Sequence, residues 1–248
     1  MKKTIVSLFL ICAFSTNAYA VGDGDIVLSG NNLLQKEFED LSRQVGLAIA
    51  YRAAAPAEAL GITGFDVGLE VTSTNIDEDD SYWKDVAPDM PGSIPIPKVR
   101  IQKGLPFGID IGASYAKIPD SDIKLTGAEI KYAIWEGGIA KPALALRGTY
   151  TKIDGIDDLD LSTTGLDLSI SKGFAMLTPY AGVGQVWIKS DPSSNIKVQG
   201  TGIALDKEEI TETKYFVGAR LALGFFMIIA EYEQAEVTSY TAKLSLGF

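Results

Sequence analysis

Alternation of apolar with small or polar residues organises most of this chain. In the last segment Phe248, Leu246, Leu244, Ala242 and Tyr240 fall on one face of an extended strand, and Gly247, Ser245, Lys243, Thr241 and Ser239 fall on the other. Successive side chains of a strand point to opposite sides, so such a segment can bury two chemically different faces. The same split recurs upstream. Phe65, Val67, Leu69 and Val71 oppose Gly64, Asp66, Gly68 and Glu70, and Phe107, Ile109, Ile111, Ala113 and Tyr115 oppose Gly108, Asp110, Gly112 and Ser114. Turn residues separate these runs. The pattern predicts ten strands, at 61–72, 96–103, 107–117, 122–135, 141–152, 159–172, 176–189, 212–223, 225–234 and 238–248. Their connections alternate between short turns (103–106, 136–138, 171–173 and 224) and loops (73–95, 118–121, 153–158, 190–211 and 235–237), of which the first and fourth are the longest.

The N-terminal quarter breaks this rhythm. Leu33, Leu34, Phe38 and Leu41 recur at near-helical spacing, which predicts a helix over 31–44. Val45, Leu47, Ile49 and Tyr51 then alternate with Gly46, Ala48, Ala50 and Arg52, as a further strand would, and residues 53–60 are small and apolar. Two organisations follow. Either residues 21–60 form a helix and plug beside a ten-stranded sheet, or they supply two more strands and make twelve. The plug is the reading taken, with twelve strands as the alternative.

Residues 1–20 form an export signal by pattern. Lys2 and Lys3 precede an apolar run from Thr4 to Phe14, and Ala18-Tyr19-Ala20 offers small residues where a signal peptidase cuts. Cleavage is expected near Ala20. The run is too short for a membrane helix, and nothing after it approaches the ~20 apolar residues that a helical span needs. The net charge is −10, and loss of Lys2 and Lys3 makes the mature chain more acidic still, which argues against nucleic-acid binding. The sequence contains no histidine, so catalysis with imidazole as the base is excluded and no enzyme activity is expected. Cys12 is the only cysteine and lies in the signal, so no disulfide, thiolate metal site or cofactor is expected.

A soluble β-sandwich would also alternate. Here one face is lipophilic in strand after strand while the other is rich in Gly, Ser and charge. Tyr115, Tyr132, Trp135, Tyr150, Tyr215, Tyr232, Tyr240 and Phe248 sit mostly near strand ends. That is the pattern of an all-β, antiparallel transmembrane β-barrel with aromatic girdles. The ending Tyr240-Thr-Ala-Lys-Leu-Ser-Leu-Gly-Phe248 resembles the C-terminal strand of bacterial outer-membrane β-barrel proteins. The resemblance covers 61–248 at the level of the class. It implies an outer-membrane location in a Gram-negative bacterium, contact with outer-membrane lipid, and escort by periplasmic chaperones. It also implies insertion by the barrel-assembly machinery, which would read Tyr240, Leu244, Leu246 and Phe248, and it implies both termini in the periplasm.

The inward faces should carry Asp66, Glu70, Lys98, Arg100, Asp110, Glu129, Lys131, Arg147, Asp167, Lys214, Arg220, Glu231, Glu233 and Lys243. As pore-lining groups these would set the selectivity of a porin-like channel for small solutes or small apolar molecules. Alternatively they pair with one another and fill the lumen of a non-conducting barrel whose outer loops bind a partner. Eight strands enclose just enough space for side chains to fill, and ten lie near that limit. In the first long loop Asp77-Glu-Asp-Asp80 is read as a solvated acidic run and not as a metal site, having no EF-hand spacing.

Overall fold

The computed structural model describes residues 35–77, 80, 82–83, 92–118, 122–138, 141–156, 159–192 and 205–248. The export signal, and the first four residues of the expected helix, lie outside them. Among the described residues ten strands follow the helix α1 (Gln35–Ile49). They are β1 (Phe65–Asn75), β2 (Ser93–Gly104), β3 (Ile109–Lys117), β4 (Lys124–Trp135), β5 (Ala143–Asp154), β6 (Leu159–Ser171), β7 (Leu177–Pro192), β8 (Glu208–Leu223), β9 (Phe226–Gln234) and β10 (Thr238–Gly247). Each pairs antiparallel with its neighbours in sequence, and β1 pairs with β10 to close the barrel. At this seam Asp66 lies opposite Gly247 and Thr74 opposite Ser239, and the Phe65 and Phe248 rings meet edge to face at 4.9 Å. Closure leaves no unpaired strand edge, which a membrane would penalise heavily.

The predicted inside–outside split is the observed one. Val67, Leu69 and Val71 face outward while Asp66, Glu70, Thr72 and Thr74 are buried, and β5, β6, β9 and β10 repeat the alternation. Exposed aromatics form two belts at different heights. Phe65, Phe107, Trp135, Phe174, Phe225, Phe226 and Phe248 ring the end with the short turns, and Tyr115, Tyr150, Tyr215, Tyr232 and Tyr240 ring the wall nearer the long loops. From Tyr240 to Phe248 the strand rises about 26 Å at ~3.3 Å per residue, and tilt shortens this toward the height of an apolar membrane band. The short-turn end owes its tightness to turns such as Gly224-Phe225, where Gly224 has a φ of 68° that a side chain would strain.

The strand count resolves at ten, because residues 45–52 do not pair. α1 runs on through Val45 to Ile49, past the predicted end at 44, and the chain then continues as irregular, bent backbone without joining the sheet. The alternation there misleads for a physical reason. Phe38, Leu41, Ser42 and all of Gln44–Ile49 are buried, and a helix enclosed on every side has no polar face to reveal its period. Residues 61–64 lie at the short-turn rim, where Gly104 donates to the Gly64 carbonyl and Lys103 to those of Ile62 and Gly64. From there the segment runs up inside the barrel, so that α1 packs among the strand ends nearest the long loops, on the side opposite Phe248.

Candidate functional site: a filled lumen

Ten strands enclose more room than their own inward side chains can fill, and a run of irregular backbone plus a helix occupies the surplus. Irregular backbone buried this way needs a partner for every N–H and C=O. Wall side chains, most of them charged, supply several of these. Arg100 Nη1 donates to the Arg52 carbonyl at 3.1 Å and Nη2 to that of Ala53 at 3.0 Å, and the guanidinium stacks 4.5 Å over the Tyr51 ring. Lys131 donates to the carbonyls of Pro56 and Glu58 at 3.1 and 2.8 Å. Glu231 accepts the N–H of Ala54 at 2.8 Å, Ser171 that of Ala57 at 3.1 Å, and Asp110 that of Leu60 at 3.0 Å. Small residues are required because the wall approaches so closely. Ala53, Ala54 and Ala57 have no exposed surface and Arg52 has 1%.

Every predicted pore-lining residue faces the interior, all buried except Arg220, which is half-buried near the short-turn end. The fourteen comprise seven cations and seven anions, and most pair along the wall with partners one or two strands away. Arg100 bridges Glu70 at 2.9 Å and Glu129 at 3.0 Å, with Lys98 beside Glu70 at 3.3 Å and Arg147 beside Glu129 at 3.5 Å. Lys214 lies between Asp167 at 3.3 Å and Glu233 at 3.2 Å. Lys243 meets Asp66 at 3.2 Å, and Lys131 meets Asp110 at 2.9 Å. Tyr180 donates to Glu231 at 2.8 Å.

Two charges that sequence reasoning passed over complete the set. Arg52 pairs with Glu233 and donates to the Leu47 carbonyl, Thr74 and Ser239. Glu58 pairs with Arg220 at 2.9 Å. The signal available was that Arg52 and Glu58 are the only charges between Gln44 and Gly64, in a run otherwise apolar enough to be a core.

Above the charged layer an apolar one seals the long-loop mouth. Phe38, Leu41, Val45 and Leu47 of α1 pack with Ile96, Leu125, Leu161 and Ile188 of the wall and with Trp83 of the first long loop. Gln44 ties this loop to the helix, accepting from Trp83 Nε1 and donating to the Tyr82 hydroxyl, both at 2.8 Å. Tyr82 donates in turn to Asp80 at 2.6 Å, and burial with this bond pushes its hydroxyl well above the ordinary tyrosine range. Of the acidic run, Glu78 and Asp79 lie outside the described residues. Ser42 meets Ser190 at 2.8 Å, Arg43 meets Glu212 at 3.0 Å, and Gln35 reaches Asp206 and Glu208. The expected assembly residues Tyr240, Leu244, Leu246 and Phe248 all sit exposed on the outer face.

A closed antiparallel barrel with a lipophilic outer face, two aromatic belts and a charge-balanced interior is a transmembrane β-barrel. Residues 86–248 match a family of unknown function (DUF6588), and the chain belongs to it. No curated protein matches the sequence. Among solved structures it is similar to Ail, the attachment invasion locus protein of Yersinia pestis, at 14% identity over 74% of this chain and 96% of that one, with a TM-score of 0.32. It is also similar to LpxR from Salmonella typhimurium (10% identity, 73% and 100% covered, TM-score 0.36) and to Neisserial surface protein A (11%, 75% and 94%, TM-score 0.29). With TM-scores below 0.5, the architecture rests on this chain's own strand pairing.

Proposed function

We propose that the chain is an outer-membrane β-barrel of a Gram-negative bacterium, held shut by its own N-terminal segment and turning its long loops to the outside. The single observation behind this reading is the enclosure of Arg52–Ala57 by hydrogen bonds and ion pairs from the wall. It favours a non-conducting barrel over a porin. The wall charges solvate buried backbone and offset one another, so they have no free field to offer a permeating ion. Passage of small solutes or small apolar molecules would first require residues 50–60 to leave the lumen. The export pattern of residues 1–20 and the lipophilic belt support the location, and the lack of histidine supports a role without catalysis.

The test is electrical. The full chain, folded and inserted into planar bilayers, is expected to give no steady conductance at moderate voltage. A stable open level in most insertions would overturn the closed reading and restore the porin.

A further inference from the structure

The path of the N-terminal segment fixes on which side of the membrane α1 begins. Contacts along it climb from one end of the barrel to the other. Leu60 is bonded to Asp110 and Ala57 to Ser171 near the short turns, Ala54 to Glu231 further up, and Arg52 to Thr74 and Ser239 near the opposite ends of β1 and β10. α1 continues the climb. Ser42 meets Ser190 and Arg43 meets Glu212, and Gln35 reaches Asp206 and Glu208 beside the 193–207 loop. Exposure rises along the same path. Gln44–Ile49 are buried, while Gln35, Glu37, Glu39, Asp40 and Arg43 are partly exposed and Lys36 is exposed. The charged end of α1 therefore stands in water at the long-loop mouth.

We infer that the chain crosses the membrane inside its own barrel, so that the start of α1, Gln35 and Lys36, stands at the cell surface beside the long-loop ends of β7 and β8. This rests on the outer-membrane reading above and reverses the periplasmic N-terminus implied by the barrel class. A return path through the lumen is blocked, because the layer around Arg52–Ala54 is already filled. Withdrawal toward the short turns is opposed as well. It would drag Lys36, Glu37, Glu39, Asp40 and Arg43 past the buried charge network and strip water from each. The barrel thus gives the start of α1 a fixed exit on its outer face, beside Asp206 and Glu208.

Accessibility in intact cells tests this. Single variants of the full chain, Lys36→Cys, Ile62→Cys and Lys207→Cys, would be expressed, shown to be heat-modifiable on gels, and treated with a polyethylene-glycol maleimide too large to pass porins. The unsubstituted chain sets the background. Labelling of Lys36→Cys and Lys207→Cys in intact cells, with Ile62→Cys labelled only after the outer membrane is permeabilised, is the expected result. If Lys207→Cys is labelled while Lys36→Cys reacts only after permeabilisation, or not at all, the surface exit is wrong and the barrel reading stands. Labelling of Ile62→Cys with protection of Lys207→Cys would instead mean that the barrel is inverted, and both statements would fall.

Discussion

An Arg100→Ala variant is expected to lose about 3–5 kcal/mol of stability, the usual cost of removing one partner from a buried ion pair. One guanidinium here serves two carboxylates, Glu70 and Glu129, and two plug carbonyls, those of Arg52 and Ala53. Without it Glu70 keeps Lys98 at 3.3 Å and Glu129 keeps Arg147 at 3.5 Å, both weaker contacts, and the buried Ala53 carbonyl loses a donor. The temperature at which the folded band converts to the unfolded one on gels should fall clearly. Intermittent conductance should appear in bilayers as the plug loosens. Arg100→Lys should recover only part of the loss, because a single ammonium cannot fork across two carboxylates and two carbonyls at once. Stability within ~0.5 kcal/mol of the parent, the ordinary range of surface substitutions, would mean that the network does not hold the segment.

Trp83→Ala should have an effect of similar size but a different location. The indole is 1% exposed, packs against α1 and donates to Gln44. Truncating a buried Trp typically costs ~3–5 kcal/mol through lost transfer energy and the cavity left behind. The loss falls on the apolar seal at the mouth and not on the strand ladder. Limited proteolysis is therefore expected to cut within residues 35–49 far faster than in the parent, while the barrel itself remains heat-modifiable. Unchanged protection of α1 would show that the first long loop does not clamp it.

The barrel was legible in the sequence because a membrane imposes one rule on every strand. Leu244 and Leu246 must meet lipid and Lys243 and Ser245 must not, so each strand repeats a period-2 signal, and the ten predicted segments coincide with β1–β10 to within a few residues. Strand ends were less legible, since β7 and β8 project beyond the apolar band, where Lys189, Asp191, Glu208 and Glu209 obey no such rule. The N-terminal segment was harder for the opposite reason. Inside the lumen Val45–Tyr51 is surrounded by protein on all sides, and its apolar residues fit a helix and a strand equally well. The inward set of Asp66, Arg100, Glu129 and their neighbours could be named from alternation alone. Their task could not, because it depends on the carbonyls of Arg52, Ala53 and Pro56 arriving from a segment that no period places in the lumen.

A single disulfide tests most directly whether the N-terminal segment fills the barrel. The Ser42 and Ser190 hydroxyls lie 2.8 Å apart, one on α1 and one on β7, and Cys12 is the only cysteine in the sequence. Cysteines at both positions would therefore stand within bonding reach of each other. In outer membranes isolated without reductant, Ser42→Cys/Ser190→Cys is expected to be cross-linked in nearly every molecule, seen as a reductant-sensitive gel shift of the unfolded chain. A heat-modifiable barrel with both thiols free and open to alkylation would place the helix elsewhere and contradict the account.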